Sequence, residues 1–559
     1  MSESSTNPLN KRWHDLDALR GFAMLLGIVL HAALPFVPDL GWFFEDEKKH
    51  GGIYLIYAAI HGFRMPLFFL LSGFFAAMLL KKKGIRFYTQ HRFKRIVLPL
   101  IIFSILIGTL SDKLIENIVA KEIASTQKKI NVENTETIDF EVIDATQDKE
   151  QLNGLAEKSI RNNDIESLKM ILGKGIDVNR LNNINAALMH WAAAFDNPEA
   201  ISLLYKSKAN LNILDGEKNT PLMWATFYGK TNAVKKLVEL GANTELKNQD
   251  GVRPIDLALA NSQDLTGLII AFANLLIIPV ELDALKANYK INLATLKTKS
   301  EAPSTSTDVA PPLHHLWFLL YLAVLIFLYG FIDMIISPVL NSKRLRFLIF
   351  TPVKYLWLVP CVLFFQYDFD FEAFGPDTST AWRPEPNILG YYGIFFLFGA
   401  LAFNLRKEGD KLGRFWFISL PLAFLIFFIG LALIFDSEYS GEDKYGDDSK
   451  LAASLCITLY TCLMSFGLIG LFNQIASRGR KWVRYLSDSS YWLYIAHLPL
   501  TYYIGYEVKN IDINPYLKLV LICGIVFLIL LISYRLFVRY TFIGTLLNGK
   551  KVKKDLKGH

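Results

Sequence analysis

Long apolar stretches alternate with short charged blocks along almost the whole chain. Ten stretches have the length and character of membrane-crossing helices, at about 16–36, 54–79, 93–111, 314–334, 346–364, 388–405, 413–435, 451–474, 489–507 and 514–539. Roughly 20 apolar residues cross a hydrocarbon core of about 30 Å. A soluble α protein would need a polar outer face on these helices, and they lack one. The pattern therefore predicts an all-α fold, a polytopic membrane helical bundle of about ten transmembrane helices.

Composition agrees with that reading: of 559 residues, 52% are hydrophobic and 13% aromatic, and mean hydropathy is +0.28. The basic loops are Lys11–Arg12, 81–95, 341–346, 406–414, 478–484 and 551–554. They alternate with acidic loops at 45–47, 366–372 and 436–448. The positive-inside rule then places both termini in the cytoplasm. The first apolar segment runs into Pro35 without a small-residue cleavage site, so it is expected to be retained rather than cleaved as a signal peptide.

Between the third and fourth spans the pattern changes. Pro221 and Pro254 stand 33 residues apart, Leu188 holds the same place one period earlier, and Gly175, Lys208 and Gly241 repeat at that interval. With a T-P-L-x-x-A helix start at Thr220, this resembles the ankyrin repeat, whose units stack to share one core. About four units are expected over 149–277. The expected order is 1–111 (first three spans), 112–148 (linker), 149–277 (ankyrin-repeat solenoid), 278–313 (tether, Pro/Ser/Thr-rich at 301–312), 314–539 (seven spans) and 540–559 (basic tail). Parity of spans places the solenoid outside the cytoplasmic membrane, in the periplasm of a bacterial inner-membrane protein. All four cysteines lie in spans, which fits an oxidising compartment and equally a reducing one. His190 falls at the ankyrin Leu-His position and is read as a structural hydrogen-bonding residue.

Ionisable residues within spans are costly and point to sites or partners. Arg20 and His31 lie eleven positions apart on the first span, about three turns and roughly 16 Å along one face. Arg20 reads either as an entrance cation or as an anchor paired with Asp17, which would orient it. Arg64 and His61 open the second span near Pro66, and His497 precedes Pro499 in the ninth. Arg64 reads as a pocket cation or an interfacial ion pair, and His497 as a substrate contact, a brace for His31 or a structural residue. In the loop bearing Asp368, Asp370 and Glu372, Trp382 and Arg383 are candidates for sugar contact. No His/Cys/Asp/Glu cluster has metal-ligand spacing, no glycine-rich phosphate or dinucleotide motif is present, and the formal charge of +7 sits in loops facing anionic lipid rather than in a nucleic-acid surface.

The run RWHDLDALRGFAMLLGIVLH, followed by FRMPLFFLLSGFFAAMLL and HRFKRIVLPL, resembles the membrane acyltransferase-3 family, in particular its glucan-succinylating branch. The resemblance covers roughly 13–111 and 314–539. It implies transfer of an acyl group, succinyl or acetyl, from cytoplasmic acyl-coenzyme A to a hydroxyl of a periplasmic or cell-surface glucan or other carbohydrate, without a metal. His31 matches the family's catalytic histidine and Arg20 its preceding basic residue, so His31 is expected to be the general base, since imidazole accepts protons near neutrality. Arg64 joins them as a catalytic candidate for an anionic acyl terminus or the tetrahedral intermediate, with His61, Trp382, Arg383 and His497 as substrate contacts. Expected partners are the carbohydrate, acyl-coenzyme A, membrane lipids and a protein or glycan on the ankyrin surface. The competing reading is a glycan transporter or flippase. It is disfavoured because the two halves show neither an internal repeat nor matched helix interruptions.

Overall fold

The computed structural model describes residues 13–38, 40, 42–133, 140–146, 148–259, 269, 273, 276, 278–280, 282–297, 313–336, 343–369, 373–379, 381–407, 409–439, 447–478 and 480–549. Asp370, Glu372, the 301–312 stretch and the basic residues at 551–554 lie outside them. The chain forms two compact units, one from Met1–Leu40, Glu45–Leu114 and Ala310–His559, the other from Gly41–Phe44 and Ile115–Val309. Among the described residues every regular element is helical.

Helix α1 (His14–Ala33) carries Asp15 and Asp17 in its first turn, where carboxylates complement the helix dipole. It passes into a 3₁₀ turn at Leu34–Phe36. Helix α2 (Gly51–Arg92) is capped by His50, whose Nδ1 accepts the Gly52 N–H at 3.0 Å. It breaks at Gly84, whose φ of +75° suits glycine and few other residues. Pro66 inside α2 has no N–H, which frees the Gly62 carbonyl one turn back, and Thr461 Oγ1 donates to that oxygen at 2.6 Å. Helix α3 runs Leu98–Glu133, so 112–133 of the expected linker is helical.

In the second unit, helices pair as α4 (Lys149–Arg161) with α5 (Ile165–Gly173), α6 (Leu188–Ala194) with α7 (Pro198–Lys206), and α8 (Pro221–Phe227) with α9 (Thr231–Glu239). Helix α10 (Pro254–Leu259) opens a fourth repeat. Leu188, Pro221 and Pro254 each begin a helix, as the 33-residue period requires. Gly175, Lys208 and Gly241 adopt left-handed φ of 69°, 67° and 93°, each shortly after the second helix of its repeat. Asn179 accepts the Asn210 N–H and Asn212 the Asn243 N–H, both at 2.8 Å, so one bond recurs from repeat to repeat. Helix α11 (Leu282–Lys297), within the expected tether, closes the stack: Tyr289 donates to the Phe227 carbonyl at 2.7 Å, and the Leu285 side chain packs against Gly229. The apolar positions of the segment, not its neighbouring Pro/Ser/Thr run, decide its structure.

His190 is fully buried; its Nδ1 accepts the Ala187 N–H and its Nε2 donates to the Asn219 carbonyl, both at 3.1 Å. Burial holds its pKa below the ordinary 6.5. The unfolded chain therefore takes up the proton first, and the stability this residue contributes is complete above about pH 6.5 and lost as pH falls toward the folded pKa. Corrected for the intrinsic pH dependence of amide exchange, hydrogen-exchange protection across 188–239 of the full chain should fall between pH 6.5 and 5 more in the native protein than in His190→Gln. An equal fall in both would count against this assignment.

The membrane unit continues with α12 (Trp317–Ile336), α13 (Lys343–Phe350), α14 (Lys354–Gln366), α15 (Pro386–Leu405), α16 (Trp416–Tyr439), α17 (Asp447–Ile475), α18 (Lys481–Lys509), α19 (Pro515–Ser533) and the short α20 (Phe542–Asn548). Helices α2 and α15 approach so closely that a methyl on Gly73 would fall 1.8 Å from the Phe396 carbonyl oxygen, and one on Gly399 would fall 1.9 Å from that of Leu70. Seven helices among the described residues are long and apolar enough to cross a membrane, or eight if α13 and α14, bent by 74°, count as one span. The sequence pattern gave about ten. The stretches 54–79 and 93–111 fall in one helical run, Gly51–Glu122, and 489–507 lies in α18, where serines, tyrosines, His497 and Pro499 dilute the apolar character. Asp112 and His314, which bracket the inserted unit, meet at 2.8 Å. Elsewhere in the bundle the Lys518 ammonium donates to Asp46 at 2.5 Å and to the Lys509 carbonyl at 2.6 Å, with Lys518 2% and Asp46 0% exposed.

Candidate active site

Because α1 is continuous from His14 to Ala33, Arg20 and His31 occupy one rigid rod. Around His31 the structure gathers residues from three other parts of the chain. The ring of His497, on α18, lies 5.2 Å from that of His31 between centroids. The ring of His315, in the 3₁₀ turn His314–Leu316 that leads into α12, lies 6.3 Å from His31 and 4.9 Å from His497. Arg64 of α2 is buried, and its guanidinium lies so close to Gly27 that a methyl there would be 2.4 Å from Nη1 and 3.9 Å from His497 Nε2. Gly27 stands one turn before His31, so its missing side chain is what admits the guanidinium.

Several polar atoms in this cluster have no hydrogen-bond partner among the described residues: His31 Nδ1, Arg64 Nε, His315 Nδ1 and His497 Nε2. Buried polar groups are normally satisfied. Four orphans converging on one place mark a site built for something polar and, given an unpaired guanidinium, for an anion or a developing negative charge. Tyr494 closes the cluster by donating to the His315 carbonyl.

Toward the other end of α1 opens a cavity of about 460 Å³, lined by Asp17, Arg20, Ser72, Lys82, His91, Arg92, Arg95, Ser490 and Tyr491 among others. Arg20 lies 3.4 Å from Asp17 and 5.2 Å from the Phe75 ring, so the pairing expected from sequence is present and the residue still borders the cavity. Phe318 lines the same cavity and packs edge-on against Tyr494 with centroids 4.6 Å apart. Since Tyr494 bonds to His315, one aromatic layer separates the basic cavity from the histidine cluster.

The structure thus brings His31, Arg64 and His497 together and places Arg20 and Asp17 at the cavity. His61 stacks on Tyr57 at 5.5 Å, with Nδ1 3.4 Å from the Phe374 carbonyl. Trp382 packs half-buried against the bundle core and Arg383 is exposed, and neither is among the groups described around His31. Sequence reasoning missed His315, although the histidine pair opening the fourth span was the kind of costly residue that marked His31. It also read Lys82, Arg92 and Arg95 as orientation signals only, because their convergence on one cavity depends on the break at Gly84. The described residues hold no group of three His, Cys, Asp or Glu able to bind a metal.

The acyltransferase domain model of the acyltransferase-3 family matches residues 13–121 and 267–538, and the chain belongs to that family. The ankyrin-repeat model matches 155–266 in three copies. Glucans biosynthesis protein C of Escherichia coli (strain SMS-3-5 / SECEC) is 32% identical over 91 residues, 16% of this chain and 23% of that protein. The palmitoyltransferase ZDHHC13 of Homo sapiens is 42% identical over 69 residues, 12% and 11% respectively. The E3 ubiquitin-protein ligase hecd-1 of Caenorhabditis elegans is 30% identical over 155 residues, 28% of this chain but 6% of the ligase. The chain thus spans a small part of the relatives it matches. It is thus a membrane protein of the acyltransferase-3 family that carries ankyrin repeats.

Proposed function

We propose that the protein moves an acyl group from acyl-coenzyme A to a hydroxyl of an extracytoplasmic carbohydrate, with His31 as general base. The observation that carries this reading is the buried Arg64 beside His31, which forms no ion pair among the described residues. A guanidinium held without a counter-ion has its anion supplied by the substrate, either the oxyanion formed at the thioester carbonyl or the carboxylate of a succinyl-type acyl group. The cavity bordered by Arg20, Lys82, Arg92 and Arg95 suits the phosphates of coenzyme A. Alternation of loop charge supports cytoplasmic termini in a bacterial inner membrane, with the thioester reaching His31 from the cytoplasmic side and the sugar from the periplasm. Counted as two crossings, one on either side of the Gly84 break, the run Gly51–Glu122 leaves the ankyrin repeats periplasmic, and their stacked surface would recruit the glycan or a protein partner. The likeness to glucans biosynthesis protein C favours a glucan acceptor.

Mass spectrometry of outer glycans from cells with the native protein and with His31→Ala tests the whole scheme. A mass increment present only with the native protein identifies the acyl group and the acceptor together. Identical glycans, with both proteins inserted, would defeat it, and glycan export without acylation would support a transporter.

A further inference from the structure

Pro499 has no N–H, so the carbonyl of Ile495 one turn before it has no helical partner. His315 takes that place: its Nε2 lies 3.0 Å from the Ile495 oxygen. A carbonyl only accepts, so Nε2 carries the proton, and in the neutral ring Nδ1 is a bare acceptor. His497 is fixed in the opposite sense, its Nδ1 donating to the Tyr494 carbonyl at 2.6 Å and leaving Nε2 bare. Both bare nitrogens are buried without partners among the described residues, as is His31 Nδ1. Among the described residues, the charged or titratable groups facing His31 are His497, His315 and, from α2, Arg64 and His61. None is a carboxylate.

We infer that His315 is a positioning residue for His31, acting with His497 as a neutral acceptor pair where a base histidine more often has an acid. The inference rests on the acyl-transfer reading. In the reaction the hydroxyl proton passes to His31 as the sugar oxygen bonds to the thioester carbon. The tetrahedral intermediate then collapses, the C–S bond breaks, and the departing sulfur takes the proton from His31. While protonated, His31 has a second N–H in need of an acceptor. His497 Nε2 is the nearer, and His315, packed against His497 and locked through the carbonyl that Pro499 frees, keeps that acceptor neutral and in place.

The test compares His315→Gln and His315→Leu in the full-length protein, using purified enzyme, succinyl- or acetyl-coenzyme A and glucan. Glutamine keeps an N–H for the Ile495 carbonyl but replaces the rigid ring and its bare nitrogen with a flexible amide whose oxygen is not held against His497, whereas leucine removes donor and acceptor together. The expected result is a 10- to 100-fold lower kcat in His315→Gln with KM for acyl-coenzyme A within about twofold of native, on the scale of removing one group from an acid–base network. Native turnover in His315→Gln, with loss only in His315→Leu, would reduce His315 to a helix-bracing role and overturn the inference while leaving the transfer reading intact. No transfer by the native enzyme would overturn that reading and the inference with it. Should His315→Gln fail to insert, His315→Asn decides by the same kcat and KM comparison.

Discussion

His31→Ala should lower kcat for acyl transfer by about 10²- to 10⁴-fold, the usual contribution of a positioned general base. An alcohol is a weak nucleophile at neutral pH. Without an imidazole beside it, the reaction must proceed through a rarely populated alkoxide or a tetrahedral species carrying the proton on the wrong oxygen. His31 alone in the cluster is half-buried, whereas His315 and His497 are buried and tied to backbone carbonyls. The variant should keep its affinity for acyl-coenzyme A, because the basic cavity at Arg20, Arg92 and Arg95 does not include His31. Steady-state kinetics with varied acyl-coenzyme A, beside calorimetric binding of the same donor, separate these effects. A variant that loses binding but not turnover at saturation would assign His31 to the donor site instead of to the chemistry.

Asp46→Ala should destabilise the bundle by about 3–5 kcal/mol, because it leaves the Lys518 ammonium buried with its charge uncompensated. The Lys509 carbonyl remains as one acceptor and does not replace a full counter-charge. Lys48 and Asp512 form a second ion pair between the same two segments, but both are exposed, so Lys48→Ala should leave stability almost unchanged. Replacing both buried partners, Asp46→Leu with Lys518→Met, should recover most of the loss, since an apolar pair of similar volume carries no desolvation debt. Thermal unfolding of the detergent-solubilised variants gives the order. If the double variant were as unstable as Asp46→Ala, the pair would matter for its hydrogen-bond geometry and not for charge.

How much of this could be read from the chain depends on the range of the interaction. The apolar stretches and the 33-residue period are local or periodic signals, and the helices start at Leu188, Pro221 and Pro254 as that period demands. Arg20 and His31 were legible for the same reason, sharing one helix. His315 was not, since its significance comes from a carbonyl 180 residues away that a proline sets free. The basic cavity was hidden likewise, because charges that orient a loop and charges that line a pocket are the same residues until Gly84 turns the chain. The span count suffered from the opposite effect. Pattern alone divided Gly51–Glu122 at its basic block, where the backbone stays helical through most of it, and it credited α18 with an apolar character that its serines, tyrosines, His497 and Pro499 dilute.

Asp112 and His314 touch, although about two hundred residues separate them in the chain. A segment whose two ends are already joined can lengthen at little expense, since the entropy of closing a loop grows only with the logarithm of its length, about 0.6 kcal/mol per doubling. Evolution could therefore have installed the repeats at this seam, and could trade them for other modules, while selection on the transferase core went on undisturbed. The seam is equally an engineering port. A short Gly/Ser bridge, a fluorescent protein or a foreign binding domain placed there would inherit an address on the enzyme without a vote in its chemistry.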